Sequence, residues 1–118
     1  MKIVNLTPHP LNIWNEKTQK FTSFETEGCV RLNHNNRLIG EFNGIPLYET
    51  TVSARSELPE KKDDVIYIVS SVVLSAFSER EDFWQPGRLL RDEKKKVIGC
   101  VGLSRQNVLL KPDLGEAE

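Results

Sequence analysis

"VIYIVSSVVLSAF", Val65 to Phe77, is the stretch on which the fold turns. Its first five residues form an unbroken apolar run, the pattern of a strand covered on both faces. Ser70 and Ser71 interrupt the run, and either suits a helix N-cap, because its hydroxyl accepts from backbone N–H groups left free in the first turn. Val72, Val73, Ala76 and Phe77 then recur at helical spacing with Ser71, Ser75 and Ser78 opposite, which predicts a helix of two to three turns packed by that stripe on a sheet.

Around this centre the chain reads as short strands. Lys2–Leu6, Leu11–Trp14, Phe21–Phe24 and Val30–Leu32 are brief apolar segments divided by polar turn residues. "NEKTQK" (15–20) is a hairpin connection, and Asn43-Gly44 is a strong turn pair ahead of a β-branched and aromatic strand from Ile45 to Val52. "ARSELPEKKDD" (54–64) has almost no apolar content and predicts a mobile surface loop. After "EDFWQPG", "RLLR" and "VIGCVGL" predict a last hairpin joined by "DEKKK", with Gly99 and Gly102 marking a bulge or a close backbone approach. The expected fold is α+β, a mostly antiparallel meander with one main helix packed on it, in a single domain over 1–108 followed by a frayed tail over 109–118.

Composition narrows the function. Sixteen Lys+Arg against seventeen Asp+Glu leave a formal charge of −1, so no overall field draws the chain onto duplex nucleic acid or an anionic membrane. No apolar stretch approaches the ~20 residues a bilayer requires, and the first residues lack a signal peptide pattern, which predicts a soluble cytoplasmic protein. Cys29 and Cys100 form no C-x-x-C pair and lie at no metal-ligand spacing from His9 or His34, so they read as small core residues and predict neither zinc nor another cofactor. The sequence contains no P-loop, no G-x-S-x-G, no H-E-x-x-H and no G-x-G-x-x-G, which leans away from an enzyme.

The candidate site starts at the strand-to-helix junction, where Ser70 and Ser71 offer hydroxyls beside free N–H groups suited to an anion. Arg80 and Arg88 flank the helix and add bidentate phosphate contacts, Arg55 lies in the preceding loop, and Trp84 offers a stacking face for a base. The competing reading caps the helix with the serines, pairs the arginines with Glu79, Glu81 and Asp82, and places Trp84 in the core. Within "LTPHPLNIW" (6–14), Pro8 and Pro10 each lack an N–H and fix φ, so His9 sits on a rigid corner, pre-positioned either for a ligand or only for a turn.

"VNLTPHPLNI", "VIYIVS", Arg80–Asp82 with Pro86, and "VIGCVGL" together resemble a group of small phage and prophage-derived proteins that open with V-N-L-T-P-H; the likeness spans about residues 3 to 103. It implies a shared fold and origin and carries over no activity. The group leads one to expect a glycine within 92–96, where this chain has "DEKKK". By analogy, small phage proteins act against host defence by capturing a nucleotide signal or by binding a host protein. The leading expectation is therefore a non-enzymatic protein that captures an anionic, nucleotide-derived molecule through His9, Arg55, Ser70, Ser71, Arg80, Trp84 and Arg88, as a homo-oligomer if Arg80 contributes. The alternatives are a protein-interaction inhibitor and a small nucleotide-acting hydrolase or transferase that uses His9 as acid or base.

Overall fold

A computed structural model describes residues 1–106; the segment 109–118, expected to fray, lies outside the described residues. The element order is β1 (Lys2–Asn5), β2 (Leu11–Asn15), β3 (Lys20–Phe24), β4 (Leu32–Phe42), β5 (Ile45–Ala54), β6 (Val65–Ile68), α1 (Ser71–Ala76), β7 (Phe83–Arg91) and β8 (Val97–Ser104). Six strands form one sheet in the order β1-β6-β7-β8-β2-β3, and β4 and β5 pair only with each other. A bridge between Asn5 and Thr26 and a hydrogen bond from Glu27 N to Asn5 O (2.8 Å) join the two outer edges, so the sheet curls into a barrel-like body. The fold is α+β.

The apolar run Val65–Val69 is buried on both faces, as its sequence requires. Tyr67 and Val69 point to one side, where they pack with Val73, Leu74 and Phe83 beneath α1. Ile68 points to the other and meets Ile13 and Cys100 inside the barrel. The helix follows at once, with the Ser70 hydroxyl accepting from Val73 N. It is only six residues long, and its buried side chains are Val73 and Leu74; Val72 is exposed, with Ala76 also outward. Val73 and Phe77 of the expected stripe therefore pack on the core, while Leu74 is buried there in place of Val72 and Ala76.

The meander expected from the strand pattern is corrected by three parallel pairings, β1 with β6, β6 with β7 and β2 with β8. Parallel neighbours require a crossover, and the segment 70–82 carrying α1 supplies it between β6 and β7. "EDFWQPG" is therefore largely strand: β7 begins at Phe83 and includes Pro86. Pro86 is tolerated because β6 pairs only with Phe83 and Trp84, so beyond them that edge of β7 has no ladder to lose. Gly87 is needed for close approach, since a Cβ there would collide with the carbonyl oxygens of Val101 and Gly102.

A second correction concerns β4. The expected strand Val30–Leu32 lies largely ahead of the observed one, which starts at Leu32 and runs eleven residues through "LNHNNRLIGEF". Its asparagines and glycine have poor strand propensity, so its extended form depends on pairing with β5 across the Asn43-Gly44 turn, where both residues adopt positive φ. Side chains reinforce the ladder: Thr50 Oγ1 donates to Asn36 Oδ1 (2.6 Å), and Arg37 pairs with Glu49 (3.0 Å). The 54–64 loop is irregular after Ala54, yet it is tied down rather than free, because Tyr67 Oη donates to Glu60 O (3.0 Å), Arg80 reaches Pro59 O (2.8 Å) and Leu58 packs on the core.

At the β7–β8 turn the Asp92 carboxylate accepts from Lys94 N and Lys96 N, and Lys95 takes φ 65°, the conformation in which a glycine was expected. Among the described residues no helix is long and apolar enough to cross a membrane.

Two stability measurements follow from these local arrangements. Asn5 is fully buried, with its amide donating to His9 O (2.9 Å) and Phe24 O (3.0 Å) and its carbonyl accepting from Thr7 N and Thr7 Oγ1. Asn5→Ala strands those partners and costs about 3–5 kcal/mol in chemical denaturation, with a melting temperature lower by more than about 10 °C. Lys95→Gly, in contrast, relieves a left-handed residue and raises stability by about 0.5–1 kcal/mol in the same assay.

Candidate functional site

A furrow runs between α1 and the root of the β4–β5 hairpin. Its first compartment, about 230 Å³, is lined by Arg31, His34, Arg55, Ser70 and Cys29 over an apolar floor of Val30, Leu32, Val72 and Val73. A second compartment of about 450 Å³ shares His34 and Val72 with the first and continues along Val52, Ser71, Ser75, Ala76 and Gln106.

Local structure explains how the basic groups meet. Arg31 and Arg55 are drawn together as the hairpin ladder extends one step past its last named pair, where Arg55 N donates to Arg31 O (2.9 Å). Arg55 Nε then donates to Asn33 Oδ1 (3.0 Å), which fixes the guanidinium at the hairpin root. Ser70 faces them from the other wall because β6 ends there and the chain turns into α1. None of the described lining residues of either compartment is Asp or Glu, and neither Arg31 nor Arg55 makes a salt bridge among the described residues. In a chain of net charge −1 this is a local concentration of positive charge. The helix adds little to it, since six residues sum few peptide dipoles and the Ser70 hydroxyl is engaged in capping.

Of the seven residues expected from sequence, the furrow brings together Arg55, Ser70 and Ser71. His9, Arg80, Trp84 and Arg88 are not among its described lining residues. His9 is exposed on the proline corner, and the hydrogen bonds made there end on its backbone carbonyl, which accepts from Asn5 and Thr7. Arg88 is exposed on β7 opposite Val101. The face of Trp84 lies beneath Arg105, whose guanidinium carbon is 5.4 Å from the ring centroid. Sequence reasoning missed Arg31 and His34. Counting outward from Asn43-Gly44 sets Arg31 opposite Ser56, and the one-residue irregularity between Leu38 and Gly40 moves the partner to Arg55.

Arg80 is a structural residue here. Its guanidinium holds Asp82 through two bonds (2.9 and 2.8 Å), donates to Pro59 O and lies 4.3 Å from the Phe83 ring centroid. Both partners are largely shielded, with side-chain exposures of 18 and 5 %. The Arg80 hydrogen bond holds the Asp82 carboxyl below its ordinary range, against burial, which opposes ionisation. The same bond raises Arg80. Cys100 is buried, and burial pushes its thiol up, so it behaves as a small apolar residue. Cys29 is half-buried and lines the furrow. Among the described residues no group of three or more His, Cys, Asp or Glu is placed to hold a metal ion.

Removing the carboxylate tests the role of the ion pair. Asp82→Asn leaves a shielded guanidinium without its counter-charge and costs about 3 kcal/mol at pH 7. Because the folded-state pKa of Asp82 is lowered, this stabilisation is present above the unfolded carboxylate value and disappears as pH falls through the lower, folded one. The gap in melting temperature between wild type and Asp82→Asn is accordingly widest above about pH 5 and closes on acidification below about pH 4.

Comparison of the chain with protein-family models, with curated proteins and with solved structures returned no match.

Proposed function

We propose that the protein is a non-enzymatic binder of a small anionic, nucleotide-derived molecule, held in the furrow between α1 and the hairpin root. The observation that supports this most directly is the convergence of Arg31, Arg55 and His34 on one concavity whose described lining contains no carboxylate. Guanidinium groups favour phosphate because their planar N–H pairs match two phosphate oxygens at once. At about 230 Å³ the basic compartment is smaller than the ~300–1,000 Å³ of sites that engulf a drug-sized ligand, so it suits the phosphate-bearing part. The adjoining compartment, with Val52, Val72 and Ala76, supplies apolar surface for the remainder.

No step of bond making is assigned to the site. His34 is the only imidazole on the described lining, and no carboxylate stands there to orient it as a general base. Capture without turnover is the behaviour of a sponge for a signalling nucleotide, and the resemblance to small phage proteins makes an anti-defence role the natural setting. A protein-interaction role is the second reading, and the apolar tip of the β4–β5 hairpin favours it. The two readings separate on the arginines, which only ligand capture requires.

Isothermal titration and thermal shift with a panel of mono-, di- and cyclic nucleotides test the reading. A ligand at 100 times its dissociation constant adds about 2.7 kcal/mol to stability. Arg31→Glu combined with Arg55→Glu abolishes that shift while leaving the melting temperature of the free protein nearly unchanged, since both side chains are exposed. Arg88→Glu, away from the furrow, leaves binding intact. Binding lost in Arg88→Glu but retained in the double variant overturns this placement of the site.

A further inference from the structure

The furrow is not uniform along its length. Arg31 and Arg55 stand on the described lining of the first compartment alone, whereas the second has no ionisable side chain there besides His34, which the two compartments share. The second is instead surfaced by Val52, Val72 and Ala76, with the hydroxyls of Ser71 and Ser75 and the amide of Gln106 as neutral hydrogen-bonding groups. Cationic charge is therefore gathered at one end, and neutral surface lines the larger space beside it. Arg55 is held in a set orientation, because its Nε donates to Asn33 Oδ1 (3.0 Å), and its Nη pair makes no hydrogen bond among the described residues.

We propose, resting on the reading of the furrow as a nucleotide site, that the ligand is a mononucleotide whose phosphate ends the molecule. The phosphate sits between Arg31 and Arg55, and the nucleoside lies along Val52, Val72 and Ala76.

Charge, oxygen count and space favour a terminal phosphate over one esterified twice. A terminal phosphate carries about −1.5 to −2 charges near neutral pH and three acceptor oxygens, so it balances two guanidinium groups and meets the planar N–H pair of each. A phosphodiester has a single charge and two unesterified oxygens, enough for one such pair. Position matters as much. In a dinucleotide the phosphodiester stands between two nucleosides, and in a cyclic nucleotide it is fused to the ribose, so its entry into the basic compartment takes a sugar with it. That compartment, about 230 Å³, already falls below the ~300–1,000 Å³ that engulfs a drug-sized molecule. The second, about 450 Å³, falls within that range, and it offers apolar surface to the rings of a nucleoside and neutral polar groups to the base edge and ribose hydroxyls.

Isothermal titration of the full chain at neutral pH compares the 5′-monophosphates and 5′-diphosphates of adenosine, guanosine, cytidine and uridine with the matching 3′,5′-cyclic monophosphates, the matching dinucleoside monophosphates and ribose 5-phosphate. The best 5′-phosphate binds at least tenfold more tightly than its cyclic and dinucleoside counterparts and than ribose 5-phosphate. Ala76→Trp from α1 and, separately, Val52→Trp from β5 fill the second compartment from exposed positions. Each brings the affinity for that nucleotide down to that for ribose 5-phosphate, which itself changes less than twofold, and either variant serves if the other fails to fold. Arg31→Ala with Arg55→Ala weakens both ligands at least tenfold. A cyclic or dinucleoside monophosphate that binds as tightly as the best 5′-phosphate, and is lost in the double arginine variant, overturns the terminal phosphate and leaves capture in the furrow standing. Ribose 5-phosphate that binds as tightly as any nucleotide, or a filled variant that binds nucleotide as wild type does, overturns the seat of the nucleoside. Binding of no nucleotide in the panel, or binding indifferent to both arginines, overturns capture in the furrow and this inference with it.

Discussion

The side chain of Asn5 is the constraint on which the rest of the barrel depends. An asparagine amide has two donors and a carbonyl with two lone pairs, and burial without partners is costly. Here all four are used, toward His9 O, Phe24 O, Thr7 N and Thr7 Oγ1. The same residue aligns β1 beside β6 and meets Thr26 beyond the end of β3. One buried amide therefore shapes the proline corner and fastens the two outer edges of the sheet. The residue at that corner's apex, His9, is held by its backbone, which leaves the imidazole outside the network that positions it.

A second polar knot does comparable work at the crossover. Arg80 and Asp82 follow α1 and precede β7, and the guanidinium also grips Pro59 O and lies against Phe83. A polar loop with few apolar residues is thereby fixed to the face of the core that carries the helix. Arg105 acts similarly at the end of β8, donating to the carbonyls of Ser78, Arg80 and Glu81. Arg80, which reads from sequence as a ligand contact, is consumed by a backbone carbonyl and a carboxylate. Arg31 and Arg55 at the hairpin root make no salt bridge among the described residues, and no acidic side chain lies among the described lining residues of the furrow there.

The body and the hairpin obey different physics. In the body, strands alternate between two apolar clusters, and β6 serves both. In the hairpin, side chains from Asn33 to Ser53 remain exposed and order comes from the backbone ladder, the turn and cross-strand polar pairs. The furrow lies where the two meet, which is why its walls combine polar residues of the hairpin root with the outer face of a short helix.

Several features were determined by the sequence alone. The run Val65–Val69 required a strand buried on both faces, Ser70 required a cap, and Asn43-Gly44 and "DEKKK" required turns, because each signal reports an energy settled within a few residues. Ser70 and Ser71 were legible as furrow residues for the same reason, since they stand at a strand-to-helix junction visible in local pattern. The tertiary structure alone decided the parallel pairings, the extension of β7 through Pro86, the strand character of the asparagine-rich β4 and the meeting of Arg31 with Arg55. It also took Arg80 out of the site and gave it to Asp82. These outcomes depend on which distant segment supplies the missing hydrogen-bond partner or counter-charge, and neither propensity nor periodicity encodes that choice of partner.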